Sequence, residues 1–436
     1  MSFAWRFAAL TIVSFGFGCS GQENVSPQPQ GGSTSTGGSP TGGATTGGVA
    51  TGGSSPITGG NLATGGAAGN ATSGGGGTSA TGGTNGGGGA AGGGAVGGGG
   101  AATGPCRPPA NMQQPITLLS QTGCMDASDT KKFASFVVPY EVNSPLWSDS
   151  ADKTRGMVLP AGQKIHVKDC AAQPSECPFG PSDTGKWVFP VGSVLLKNFS
   201  FDGKLVETRL FVRFDEKNWV GYGYQWNEAQ TDATIVNEDG LQVNFNTGQR
   251  MVDWSYPSRL ECMTCHTKFA GGTLGPETKQ LNRDVGGTNQ IDAFIAKGML
   301  DAPLAKPYEA ALVAPYPGQA GAPPASATLD ERARSYLHAN CANCHRPDAD
   351  FPNQDLRFGV ALKDMNICGL DPQKGNGGVP DAKILEPGKP MQSLVWIRMN
   401  SLENRTRMPQ IGTYHVDQAG LALIGDWITS IKSCPE

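Results

Sequence analysis

The chain has 436 residues and a formal net charge of -4, with a calculated pI of about 5.8. That balance leaves no basic excess to hold nucleic-acid phosphates by counterion release, so nucleic acid is set aside as a partner. Its 64 glycines are too many for an ordinary globular composition unless they are concentrated in one stretch, and most fall between residues 20 and 104.

At the start, "MSFAWRFAALTIVSFGFGCSG" carries one positive charge at Arg6, an apolar stretch from Phe7 to Phe17 and small residues around Cys19. This is the layout of an export signal, here residues 1–19, and places the chain outside the cytoplasm. Cys19 resembles the lipid-modified cysteine of bacterial lipoproteins, although Gly16 and Phe17 fit the usual small-residue pattern before it poorly; cleavage of a soluble precursor is the alternative. The expected location is the periplasm or outer membrane, with the lipid on Cys19 as the only membrane attachment. No later segment offers the roughly 18 consecutive apolar residues of a spanning helix. Residues 20–104 repeat motifs such as "TGGSPTGGATTGGVATGG" with almost no charge or apolar periodicity. Such a chain buries too little surface to offset its ordering entropy and reads as a disordered tether.

From Cys106 the composition becomes ordinary, and the expected class is α+β: a β-rich domain over 105–257, a segment over 258–324 whose role follows from its cysteines, and a helical domain over 325–436. Residues 184–247 read as antiparallel strands, with "KWVFPVGSVLLKNFSFDGKLVETRLFVRF" alternating on both sides of a hairpin turn at Asp202-Gly203. In "WVGYGYQWNEAQTDATIV" the aromatics Trp219, Tyr222, Tyr224 and Trp226 are core fillers first and a binding surface second. Glu228 and Asp232 read as turn and surface residues. After residue 325 the pattern is helical. Thr328 is the expected N-cap of a helix with Leu329, Ala333, Tyr336 and Leu337 on one face, and Asp417 caps a closing helix with Leu421, Ile424, Trp427 and Ile428 inward. These two helices are expected to cross, burying Tyr336 near Trp427.

Of 11 cysteines, Cys19 belongs to the signal and four form the motifs "CMTCH" (Cys262, Cys265, His266) and "CANCH" (Cys341, Cys344, His345). The remaining six suit three disulfides in an exported chain, and closeness along the chain favours Cys106–Cys124, Cys170–Cys177 and Cys368–Cys434. Two Cys-x-x-Cys-His motifs in one chain point to covalent haem c at both: two thioethers one helical turn apart fix the haem edge, and the next histidine binds the iron. A zinc site built from both cysteine pairs leaves the two histidines unexplained. A thioredoxin-like dithiol lacks its βαβ context, and two structural disulfides would make the histidines coincidental.

Residues 325–436, with a helix, "CANCH", a wrapping segment, "RMPQ" and a closing helix, resemble a class I cytochrome c domain. The resemblance implies Met408 as the sixth ligand opposite His345, with Met391, Met399 and His415 as rivals. Residues 135–347, through "PLWSDSADKTR", "FPVGSVLLKNF", "ETRLFVR", "YQWNEAQTDA", "CMTCH", "KQLNRD" and "YLHANCANCHRP", are similar to a family of exported bacterial di-haem proteins with no settled reaction. "CHTKFAGGTLGP" is also similar to the cytochrome c pattern in which a carbonyl near a Gly-Pro, here near Pro276, accepts the hydrogen bond of the proximal histidine.

No sixth ligand for the first haem stands out; Met299, His338, His166 and Met251 are the candidates, each with a structural role as the alternative. Two functions follow. The protein carries single electrons between redox partner proteins of the envelope, or it is a peroxidase-like oxidoreductase acting on a small molecule at an open position of the first haem. No Ser/His/Asp set, phosphate loop or calcium loop rises above background.

Overall fold

A computed structural model describes residues 106–107, 109–178, 180–318, 320–347, 349 and 353–436; residues 1–19 and 20–104, expected to be an export signal ending at Cys19 and a tether, lie outside the described residues. The strands are β1 (Val138–Pro139), β2 (Asp152–Val158), β3 (His166–Val167), β4 (Trp187–Val188), β5 (Val194–Phe201), β6 (Lys204–Arg213), β7 (Trp219–Trp226), β8 (Ala233–Ile235), β9 (Leu241–Asn246) and β10 (Met251–Tyr256), with a short paired ribbon of β11 (Asp284–Val285) and β12 (Thr288–Asn289) after them. Six of them form one antiparallel sheet in the order β1-β2-β5-β6-β7-β8, while β3 with β4 and β9 with β10 make two-stranded ribbons.

Asp202 (φ 50°) and Gly203 (φ 79°) form the two-residue turn between β5 and β6. Both lie in the left-handed region, as the tight hairpin turn matching the sheet's twist requires. The sheet also takes in β2, ahead of the region whose alternation predicts strands. Asp152, Lys153, Thr154 and Arg155 make the first half of β2 read as surface, and only its pairing with β5 makes it a strand.

Both faces of the sheet are covered. On one, Val194, Leu196, Leu210, Val212, Tyr222, Tyr224 and Trp226 pack on the segment around Cys106, Leu119 and Met125. Tyr222 and Tyr224 donate to the carbonyls of Met112 and Ile116, each at 2.9 Å, and the Trp226 indole donates to Thr208 Oγ1 at 2.9 Å. These aromatics are core fillers with satisfied polar ends. On the other face Leu195 and Phe211 meet Met157, Trp187, Phe294 and Leu300. Asp232 is structural, accepting from the Ser120 amide and hydroxyl.

The helices are α1 (Arg259–Cys265), α2 (Thr278–Leu281), α3 (Gln290–Ala296), α4 (Leu329–Asn340), α5 (Leu394–Met399) and α6 (Gln418–Ser430). Thr328 caps α4 in a reciprocal box with Glu331, and Asp417 caps α6 through the Gly420 amide. The two helices pack antiparallel. The Trp427 indole donates to Asp330 Oδ1 at 2.8 Å, and near the other end Tyr336 lies directly on Gly420, where a Cβ would sit 2.5 Å from the ring. Ala333, Leu337, Leu421, Ile424 and Ile428 fill the seam.

All three expected disulfides form: Cys106–Cys124, Cys170–Cys177 and Cys368–Cys434. Side chains also tie the sheet region to the helices. Ser144 Oγ donates to the Ser335 carbonyl at 3.0 Å, the Trp147 amide donates to Asn340 Oδ1 at 2.7 Å, and Asp149 accepts from the amides of Tyr414 and His415. The architecture is thus α+β. Among the described residues no helix is long and apolar enough to cross a membrane.

Candidate functional site

The first motif closes α1. Ser258 caps it in a second reciprocal box, accepting from the Glu261 amide while Glu261 accepts from the Ser258 amide. Cys262 and Cys265, three apart, share a helix face. Cys262 rests on β7 at Gly221, where a Cβ would lie 3.0 Å from its sulfur and 3.3 Å from its own Cβ. Gly221→Ala is therefore expected to push α1 off the sheet and cost about 1–3 kcal/mol by overpacking. In the unloaded chain, mass-spectrometric alkylation rates should rise several-fold at Cys262 and stay constant at Cys341; equal rates at Cys262 in variant and parent would contradict this packing.

His266 follows as the C-cap of α1. Its ring packs on Phe211 with centroids 4.0 Å apart, and Phe211 is stacked on Trp219 at 4.8 Å. Nδ1 pairs with the Gly272 carbonyl at 2.9 Å. The acceptor is therefore Gly272 and not a carbonyl near Pro276. The loop turns back four residues early: the Gly272 amide bonds the Thr267 carbonyl, and Gly271 and Gly272 both take positive φ. No larger residue fits at Gly272, since a Cβ would come 2.8 Å from the Trp219 indole nitrogen. Burial pulls the His266 pKa down to about 3, aided by Lys197 and Arg209 and opposed by the Gly272 carbonyl. The imidazole is therefore neutral at ordinary pH, with its Nδ1 proton on the carbonyl and the Nε2 lone pair left to bind a metal.

The second motif follows α4. The Cys341 amide closes onto the Leu337 carbonyl, and the amides of Cys344 and His345 both bond the Cys341 carbonyl. Burial lowers the His345 pKa, against a hydrogen bond with Gln354 that raises it. Met408 lines a cavity with Met399, His415, Trp147, Tyr336 and Arg407. Of the proposed rivals, Met399 and His415 share this cavity, whereas Met391 is 73% exposed on a separate turn. Trp147 reaches the cavity from the segment before β2, and its indole N–H is buried with no acceptor among the described residues.

The two motifs, far apart in the chain, meet. The thiols of Cys265 and Cys344 are hydrogen-bonded, a contact that together with burial raises the Cys265 pKa far above the ordinary thiol value. Burial raises Cys262, and pushes Cys341 up to about 12. Among the described residues no group of three or more His, Cys, Asp and Glu side chains is placed to hold a metal ion.

Of the four candidate further ligands of the first motif, both histidines have other partners. His166 bonds Asp301 through Nδ1 (2.8 Å) and Glu176 through Nε2 (2.9 Å). His338 accepts the Phe358 amide at Nδ1 and meets Glu277 through Nε2 at 2.6 Å, which fixes its proton on Nε2. Met299 is core and Met251 is 60% exposed on the β9–β10 hairpin.

Beside the second motif an open cleft is lined by Ala270, Gly271, residues 273–277, the end of α4 and the sheet, with Arg155, Lys186, Lys197 and Arg346 among its lining. These cations were not singled out from sequence. For one of them the signal was available: Lys197 interrupts "VLLKNF", a charge set inside an otherwise apolar strand. Trp147 carried no comparable signal. Comparison of the chain with protein-family models, curated proteins and solved structures finds no match to any of them.

Proposed function

We propose that this protein is an exported di-haem c-type cytochrome that carries single electrons between redox partners in the cell envelope, tethered by residues 20–104 and lipid-anchored at Cys19. The observation that carries the reading is the contact of Cys265 with Cys344, which joins the two Cys-x-x-Cys-His motifs at one point. Cys262 and Cys265 would hold one haem with His266 on its iron, and Cys341 and Cys344 the other with His345. Met408 would be the sixth ligand of the second, in a cytochrome c-like domain over 325–436. Haem bound at these motifs supplies one-electron redox chemistry.

The residues present fit that group. His266 offers Nε2 in the right tautomer, because Gly272 takes the Nδ1 proton. The orphaned Trp147 N–H in the Met408 cavity calls for an acceptor carried by an occupant, and a haem propionate is one. Phe211 packs on the His266 ring and is itself backed by Trp219.

A second reading, an oxidoreductase acting on a small molecule at the first motif, has its own support: His166 and His338 have both ring nitrogens engaged. A reductive titration decides between them. Two one-electron steps per chain, with a low-spin spectrum at both haems, support the carrier. A high-spin signal at the first haem that shifts with added peroxide or cyanide supports the oxidoreductase.

A further inference from the structure

Strand register sets three cations side by side. Arg155 on β2 is opposite Lys197 on β5, and Lys197 is opposite Arg209 on β6. Like charges directly opposed across a sheet destabilise it, more so away from bulk water. Arg209 is compensated: Glu207, fully buried, takes it in a two-pronged pair at 2.8 Å on each prong. Among the described residues no carboxylate pairs with Arg155 or Lys197. Glu141, on the segment beside Arg155, is instead bound to Arg283 at 2.9 Å.

Both cations line the cleft beside the second motif, and its other positive groups are under-compensated too. Lys186 has Asp183 at 3.6 Å, but that carboxylate is shared with Arg346 and Arg357. Arg346 is 3% exposed, and its Nε is buried with no acceptor among the described residues. The carboxylate in the lining, Glu277, is taken up by His338. Burial, with the neighbouring arginines adding to it, draws both Lys186 and Lys197 down to about 7. Apolar wall is present as well, from Val142, Leu146, Trp187 and Leu274.

We propose that this cleft binds the carboxylate of an organic ligand with an apolar body, held by Arg155 and Lys197 with Lys186 and Arg346 around it. The apolar wall separates such a ligand from inorganic phosphate. Two sources supply the chemistry: the propionates of a haem attached at Cys262 and Cys265, or a free carboxylate. The first rests on the two-haem reading; the second does not.

The test uses the full mature chain, produced with a cytochrome c maturation system, and the double variant Arg155→Gln, Lys197→Gln. Octanoate and inorganic phosphate are titrated calorimetrically, and the first haem is titrated potentiometrically. If propionates occupy the cleft, octanoate does not bind the parent, and the variant lowers the reduction equilibrium constant of the first haem tenfold or more. If a free carboxylate is the ligand, octanoate binds the parent, phosphate does not, and the variant weakens octanoate tenfold or more. The charge-conserving variant Arg155→Lys, Lys197→Arg should retain most of either signal. Absence of octanoate binding together with an unchanged first-haem potential in the variant overturns the proposal. If the double variant does not fold, each single variant is read by the same criteria. Should Cys262→Ser, Cys265→Ser leave the haem content unchanged, the two-haem reading fails, and octanoate binding alone decides the cleft.

Discussion

Replacing Asp183 by asparagine is expected to destabilise the protein by about 3–5 kcal/mol, the cost of leaving buried charges without their partner. Asp183 is 2% exposed and faces three cations: Arg346, Arg357 at 3.3 Å and Lys186 at 3.6 Å. One carboxylate thus joins the loop before β4 to the segment after "CANCH". Its pKa is lowered: burial raises it, and Lys186, Arg346 and Arg357 together outweigh burial. A carboxyl held below its unfolded value contributes stability that is full above the unfolded pKa of 3.8 and lost as pH falls through the folded pKa. Urea midpoints should therefore separate parent and Asp183→Asn widely at pH 7 and converge below pH 3.8. Equal midpoints at pH 7 would show that the three cations find other compensation.

Removal of the last disulfide, by Cys368→Ser with Cys434→Ser, is expected to cost about 4 kcal/mol. The bridge closes a loop of 66 residues, the longest of the three, against 18 and 7. In the chain-entropy account the constraint on the unfolded chain grows with loop length, so this bridge should matter most. It also fastens the residues after α6, whose Trp427 and Ile428 are buried against α4. The urea midpoint should fall more than on removing Cys170–Cys177, and amide exchange should quicken first in α6. A smaller effect than that of the short bridge would refute the loop-length argument here.

Local signals were legible and distant ones were not. Thr328 and Asp417 cap their helices, Asp202-Gly203 turns the hairpin, and Tyr336 and Trp427 are buried in one seam, because caps, turns and periodicity act within a few residues. The disulfides followed from proximity along the chain. Gly420 was missed because its role exists only where Tyr336 crosses it. Likewise the row Arg155, Lys197 and Arg209 depends on register across three strands, which no single strand's pattern reveals. For the site, the two motifs were plain in the sequence, but their contact through Cys265 and Cys344 was not. The Gly272 acceptor was misplaced at Pro276 because the turn is made by two glycines with positive φ, whose conformational freedom a familiar Gly-Pro pattern obscured.

The central claim, one covalent haem at each motif, is tested most directly by counting haem per chain with the pyridine haemochrome spectrum. The count is made in the mature protein, in Cys262→Ser, Cys265→Ser and in Cys341→Ser, Cys344→Ser. The expected counts are two, one and one. One haem in the parent, retained when Cys262 and Cys265 are replaced, would contradict the two-haem account and leave "CMTCH" to another use.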